Sequence, residues 1–369
     1  MSKTYCIVGK DKHKVKRYIH NEVSYNSKKE IQELYKMSRK ELDQIKLKEY
    51  YSLISEPIRE TKIPDNLPFN INFSYMHTVV YDKETITEYF EDMKAKLFRG
   101  ELTEEENGLT RWLGLNLTIL EMNPYIGYQR GNFGRLFNQS QHLKYAVLQN
   151  SPKSIRKIMF KGQFEYDINT SVASILLQHQ DKIGLSGYYP YIESYIEDKQ
   201  FYRDKLLDMG FDEKSVKQYF TSLFFGVDVE NLGMKSKLRS SFSQDELDEI
   251  LRDDSIHGLV VECLELYNNI KNHYKEDGLT ENGYKIKNEQ GCTLSFPRKD
   301  WKKFETKVVP HIYQGIESVI IDAVLQICDV NLILFDAFIT LDSIDLDFLS
   351  NHCYDNTGYY VKFEKTVIV

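Results

Sequence analysis

The chain has 369 residues, 41% of them hydrophobic, enough apolar material for one large domain or a domain with subdomains. Its net charge of −7 excludes a coat of positive charge for tight non-specific DNA binding, and leaves room for a basic groove inside an acidic protein. Five scattered cysteines (Cys6, Cys263, Cys292, Cys328 and Cys353), odd in number and without CxxC spacing, argue against a disulfide framework or a zinc site. They fit a reducing cytoplasm. No signal-peptide core opens the sequence and no run approaches eighteen apolar residues, so no membrane span is expected.

Residues 1–75 combine a basic start, Lys10 to Arg17, with a charged helical pattern over 27–60 and a loop at 63–68; they form an N-terminal subdomain of unassigned role. Helical spacing covers Lys83 to Glu106 and again Leu109 to Met122, making 76–125 a helical region. Gly131 to Arg135 is a glycine-containing turn leading into Leu136-Phe137. Gln163 to Ile168 alternates as a strand, with a helix from Ser171 behind it. Asp212 to Phe225 is an amphipathic helix stopped by Gly226, and a long helix is predicted within 244–274. Tyr284 to Phe296, split by Gln290-Gly291, has the pattern of a hairpin. His311 to Cys328 is apolar at helical spacing. Val330 to Phe335 is a buried-type strand, followed by a turn at Asp336-Ala337, a short strand from Phe338, and a last strand within 359–369. The sum is a mixed α+β fold.

Two acids and a lysine carry the chemistry. Asp167 ends its strand just before a helix. Asp336 stands between apolar Leu332–Phe335 and apolar Phe338-Ile339, where a carboxylate is costly unless a cation or partner compensates it. Lys217 lies on the helix that ends at Gly226, with Lys214, Thr221, Phe224 and Phe225 placed near the same face by their offsets. Each residue alone also has a structural explanation: a turn or cap acid, a hairpin tip, an exposed lysine above a core stripe.

Their order resembles a known family. Gly131-Asn-Phe-Gly-Arg135, Asp167-Ile-Asn-Thr-Ser171, Lys217-x7-Phe225-Gly226 and Phe335-Asp-Ala-Phe338 are similar to the four ordered motifs of single-subunit phage and mitochondrial RNA polymerases. Those enzymes share a right-hand fold with family A DNA polymerases. The segments 288–295 and 310–315 resemble the glycine hairpin and the following helix that lead to the last motif. The likeness covers roughly residues 125–345 and implies a palm sheet and helical fingers (about 185–275) within a catalytic domain over 126–369. It also implies magnesium, with Asp167 and Asp336 holding two ions. Lys217, with Lys214, would meet the triphosphate. Phe225, Gly226, Ser171 and Val172 would surround the nucleotide, while Arg135 and Gln314 would contact nucleic acid.

Four positions depart from the family pattern: Gly131 replaces a usual Thr or Asp, Glu213 an Arg, Phe225 a Tyr, and Phe335 a His. The resemblance implies template-directed nucleotidyl transfer, with nucleoside triphosphates, a template and a nascent strand as partners. RNA synthesis is favoured over DNA synthesis. The DNA enzymes use a Glu and a Tyr to exclude the 2′-hydroxyl, and this chain has Val172 and Phe225 in their places. A family A-like DNA polymerase is the alternative, and a catalytically degenerate structural subunit the second. A reverse transcriptase would carry a second acid beside Asp336, where Ala337 stands. Only about 125 residues precede the first motif, barely enough for a thumb-like subdomain over 76–125, which further suggests the catalytic subunit of a compact viral polymerase in its host's cytoplasm, with a second protein subunit loading the template.

Overall fold

The computed structural model describes residues 2–8 and 15–21 by their backbone, and residues 73–139, 145–230 and 237–369 with side chains except at Lys237. The patterns read over 27–60 and 63–68 lie outside the described residues. Two compact units divide the chain at Phe69. In the first, strands β1 (Ser2–Val8) and β2 (Val15–Asn21) pair antiparallel, Ser2 opposite Asn21.

The second unit opens with β3 (Tyr75–Thr78), α1 (Lys83–Arg99) and α2 (Glu104–Met122). The continuous helical spacing read over Lys83 to Glu106 is therefore broken. Gly100 takes a left-handed φ of 73° and closes α1, and Thr103 starts α2 with a reciprocal capping box to Glu106. Then come β4 (Tyr125–Arg130), β5 (Leu136–Asn138), α3 (Lys153–Met159), β6 (Phe164–Ile168) and α4 (Ser171–Lys182). Helices α5 (Pro190–Glu197), α6 (Lys199–Asp208) and α7 (Glu213–Phe224) follow. The long helix read within 244–274 is two, α8 (Gln244–Ile250) and α9 (Asp254–Asp277). Asp253 ends the link between them and caps α9 by accepting from the Ser255 and Ile256 amides.

Strands β7 (Leu279–Thr280), β8 (Gly283–Lys287) and β9 (Thr293–Phe296) form a small meander. Helix α10 (Trp301–Ile327) begins ten residues before the predicted His311 and carries Pro310 inside it. A proline there removes one helical hydrogen bond. The helix continues because Trp301 and Phe304 pack with Tyr284 and Phe296 of the meander. By length and composition Arg298–Ile327 is long and apolar enough to cross a bilayer although it holds no unbroken run of eighteen apolar residues, and 72% of its apolar window is buried inside the protein. The chain closes with β10 (Val330–Ile333), β11 (Ala337–Thr340), α11 (Leu346–Thr357) and β12 (Phe363–Val367).

The element that positions the site is the four-stranded antiparallel sheet, in the order β10-β11-β6-β12. Alternation along β6 buries Tyr166 and Ile168 and turns Asp167 to the other face. Tyr166 stacks on Phe338 with ring centres 5.1 Å apart. Every residue of β10 and β11 is buried, so an acid between them sits at the rim of a packed core. Asn331 ties this sheet to β3 and the segment after it: its backbone carbonyl oxygen lies 2.8 Å from His77 Nε2, and its side chain accepts from the Val80 amide and donates to the Val80 carbonyl and to Gln163. Helix α4 is held from below by buried His179, flanked by the hydroxyls of Tyr359 (2.7 Å) and Tyr274 (2.8 Å). Burial lowers the pKa of His179 to about 4, so it is neutral in this chain of rings. Helices and strands intersperse along the sequence while every described strand pairing is antiparallel, an α+β fold.

Candidate active site

Register brings the two acids together. Ala337 lies opposite Asp167 on the neighbouring strand, and the Ile168 amide donates to the Asp336 carbonyl at 3.2 Å. Asp336 therefore stands beside Asp167 at the open end of the β6–β11 pair. The predicted turn at Asp336-Ala337 falls one residue earlier, with Phe335 at a φ of 69° and Ala337 already in the strand. Thr170, between Asp167 and α4, also has positive φ, 46°. These are the non-glycine residues with positive φ among the described ones, and they flank the two acids. Such conformations cost of order 1–3 kcal/mol each and persist only where packing enforces them.

Electrostatics registers the proximity. Asp167 reaches solvent, yet enough protein surrounds it that burial, then the negative charge of Asp336, pushes its pKa up to about 7. Lys217 opposes that rise, so the helix α7 lysine faces the same spot across from the sheet. Glu364, paired directly opposite Asp167 on β12, adds to it and is itself tied to Lys199 at 2.6 Å.

Asp336 is held from the other side. The Ser171 hydroxyl reaches its carboxylate at 3.4 Å and bonds the Tyr313 hydroxyl at 2.9 Å. Tyr313 is buried on α10, and Phe225 packs edge-on against it at 5.7 Å. The Arg135 guanidinium lies over the rings of Tyr313 (5.7 Å) and Phe335 (5.5 Å) and forms an ion pair with Glu317. Glu317 has no exposed surface. Its burial, opposed by Arg135 and reinforced by Asp336, pushes its pKa up to about 7.

Of the residues singled out in the sequence, the structure gathers Asp167, Asp336, Lys217, Ser171, Arg135 and Phe225. Lys214 is exposed one turn earlier on α7 and is not among the charges acting on Asp167. Val172 and Gln314 are half-buried next to Ser171 and Tyr313 in the chain. Phe224 does not share the lysine face: it is buried beside Tyr195, whereas Phe225 turns toward Tyr313. Gly226, φ 74°, has a conformational reason for being glycine, and a Cβ there would collide with the Tyr267 ring.

Four residues of the site stand outside the sequence assignments. Tyr313 lies within the segment 310–315 with no role of its own there. Glu317, a lone acid in an apolar run, carried the same signal that singled out Asp336. Glu364 and Lys199 gave none, because strand register and helix packing alone bring them to Asp167.

The donor set suits magnesium: oxygen ligands only, and a like-charged pair that a cation would relieve. Among the described residues no group of three or more His, Cys, Asp or Glu could hold a metal. Magnesium is usually bound through one or two carboxylates plus substrate phosphates and water, which this pair allows.

No family profile matches the chain, and no curated protein does. Among solved structures it is similar to the POL domain of Pol1 from M. smegmatis, in complex with DNA primer-template and dNTP. The TM-score is 0.47 at 13% identity, over 77% of this chain and 55% of that one.

Proposed function

We propose that the chain is a template-directed nucleotidyltransferase that joins nucleotides at the Asp167–Asp336 pair, with ribonucleotides as its substrates. The observation that carries this reading is the convergence of two carboxylates at the shared end of the antiparallel β6–β11 pair with a lysine from a separate helix. Asp167 and Asp336 would hold magnesium, which when bound supplies charge neutralisation for an in-line displacement at phosphorus. Lys217 places a cation where the triphosphate would lie, and its exposed position leaves it free to meet a polyanion. The Ser171–Tyr313 hydroxyl pair orients Asp336, and Arg135 is kept beside it by the buried Glu317. Phe225, edge-on to Tyr313, offers a ring surface at the end of α7.

The sugar preference rests on Val172 and Phe225, which put no carboxylate or hydroxyl of their own at the first turn of α4 and the end of α7. The test is extension of a labelled primer on a template with magnesium and either ribonucleotides or deoxyribonucleotides. Ribonucleotide extension that disappears in both Asp167→Ala and Asp336→Ala supports the reading. Extension with deoxyribonucleotides alone reassigns the enzyme to DNA synthesis. No extension with either, from a chain that is folded, refutes the enzymatic reading.

A further inference from the structure

Residues 271–307 carry nine lysines and arginines against six acids, a net +3 in a chain whose total is −7. The excess is organised. Strands β8 and β9 turn Ile286, Leu294 and Phe296 inward and leave Lys285 and Lys287 exposed on the outer face, paired across the strands with Ser295 and Thr293. Behind that meander, Trp301, Tyr284, Phe296 and Phe304 form a continuous stack with ring centres 4.6–5.2 Å apart. Three more exposed lysines lie over its rings: Lys275 on Trp301 at 5.5 Å, and Lys303 and Lys307 on Phe304 at 5.4 and 4.9 Å. None of these five lysines is ion-paired among the described residues. Neighbouring like charges without counter-ions repel one another, and a polyanion would relieve that repulsion.

The surface is fixed to the active site. At the β8–β9 tip the Asn288 side chain donates to the carbonyls of Phe133 (2.9 Å) and His311 (3.0 Å), binding the hairpin to the turn that presents Arg135. Lys307 and Lys303 precede Tyr313 by six and ten residues on the same helix. At 1.5 Å per residue that is about 9 and 15 Å along the axis, or roughly three to four steps of a nucleic-acid strand at about 3.4 Å each.

We propose that the outer face of β8–β9 and the first two turns of α10 form a second nucleic-acid contact that grips backbone phosphates, with Lys303 and Lys307 about three to four nucleotide steps along α10 from Tyr313. The position of the strand relative to the site rests on the polymerase reading; the capacity of the surface to bind phosphates does not. The chemistry is phosphate recognition by point charges, so binding is independent of base sequence and sensitive to salt.

The test uses the full chain and a fluorescein-labelled primer-template duplex, with affinity measured by anisotropy across a series of KCl concentrations. Lys285→Gln/Lys287→Gln and Lys303→Gln/Lys307→Gln are compared with wild type, and circular dichroism verifies folding. If one double variant fails to fold, Lys275→Gln takes its place. Each double variant is expected to reduce the slope of log K against log salt by about 1 to 2, at about 0.9 per phosphate released, and Lys275→Gln by about half as much. The KM for nucleotide should not move. An unchanged slope in the folded variants overturns the proposal, as does failure of wild type to bind the duplex. A loss of affinity for poly-glutamate, with nucleic-acid binding intact, would assign the surface to an acidic protein and also overturn it. The two readings fail separately. Lysine-dependent binding without extension leaves this surface standing and removes the polymerase, whereas extension with unchanged slopes does the reverse.

Discussion

Replacing Arg135 by alanine should destabilise the chain by an amount that grows with pH. Glu317 is fully buried, titrates near 7, and owes its ability to ionise there to Arg135, the influence opposing its burial. The sign follows from proton binding. An unfolded glutamate has a pKa of about 4.3, so a folded state whose glutamate titrates higher binds the proton more tightly and loses stability as pH rises. In wild type that loss ends near pH 7, where the folded Glu317 gives up its proton. Without Arg135 its pKa moves higher and the decline continues, at about 1.4 kcal/mol per pH unit. Below pH 6.5 both proteins hold the proton and differ little in charge; by pH 8.5 the variant should have lost about 2 kcal/mol more than wild type. A pH-independent loss of about 1–2 kcal/mol for the contacts with the Tyr313 and Phe335 rings adds to this. Urea unfolding in EDTA at pH 6.5, 7.5 and 8.5 measures both parts. Arg135→Ala/Glu317→Gln should keep the constant part and remove the growth. A difference between Arg135→Ala and wild type that is flat, or that shrinks as pH rises, refutes the account of the buried pair.

Further outcomes follow from the same geometry. Because burial and Asp336 push Asp167 up to about 7, the metal-free chain should lose stability as pH rises from the usual carboxylate range towards 7. Magnesium should therefore raise Tm more at pH 8 than at pH 6, where it competes with a proton, and not in Asp167→Ala; equal shifts at both pH values would count against a carboxylate-pair site. Lys217→Ala should leave Tm unchanged, since the side chain is exposed, and lower kcat/KM for nucleotide by roughly 10²–10³-fold if it stabilises the triphosphate. Steady-state kinetics with a saturating primed template would show this. Tyr313→Phe leaves Ser171 without its hydroxyl partner and should cost about 1 kcal/mol in chemical unfolding, with a larger effect on kcat than on nucleotide KM. Gly226→Ala meets both a left-handed backbone and the Tyr267 ring and should destabilise the chain by about 1–2 kcal/mol at least, read as a fall in the urea midpoint.

Local rules made much of this protein legible. Alternation marked the strand bearing Asp167, helical spacing and Gly226 marked the lysine helix, and an acid between apolar stretches marked Asp336, because each signal acts over a few residues. The same rules misjudged places where distant packing prevails. The aromatic stack against β8–β9 extends α10 through Pro310, and the core around Tyr195 takes Phe224 away from the lysine face.

By itself the sequence determined the α+β class and the pairing of Asp167, Asp336 and Lys217 as the residues to watch. Only the tertiary structure decided their company. Strand register, which no local pattern specifies, put Ala337 and Glu364 opposite Asp167. The crossing of α10 beside the hairpin brought Tyr313 to Ser171 and Glu317 to Arg135 across more than a hundred residues of chain. The reason is physical: a carboxylate's role depends on the charges and dipoles around it, and those are set by which elements pack together.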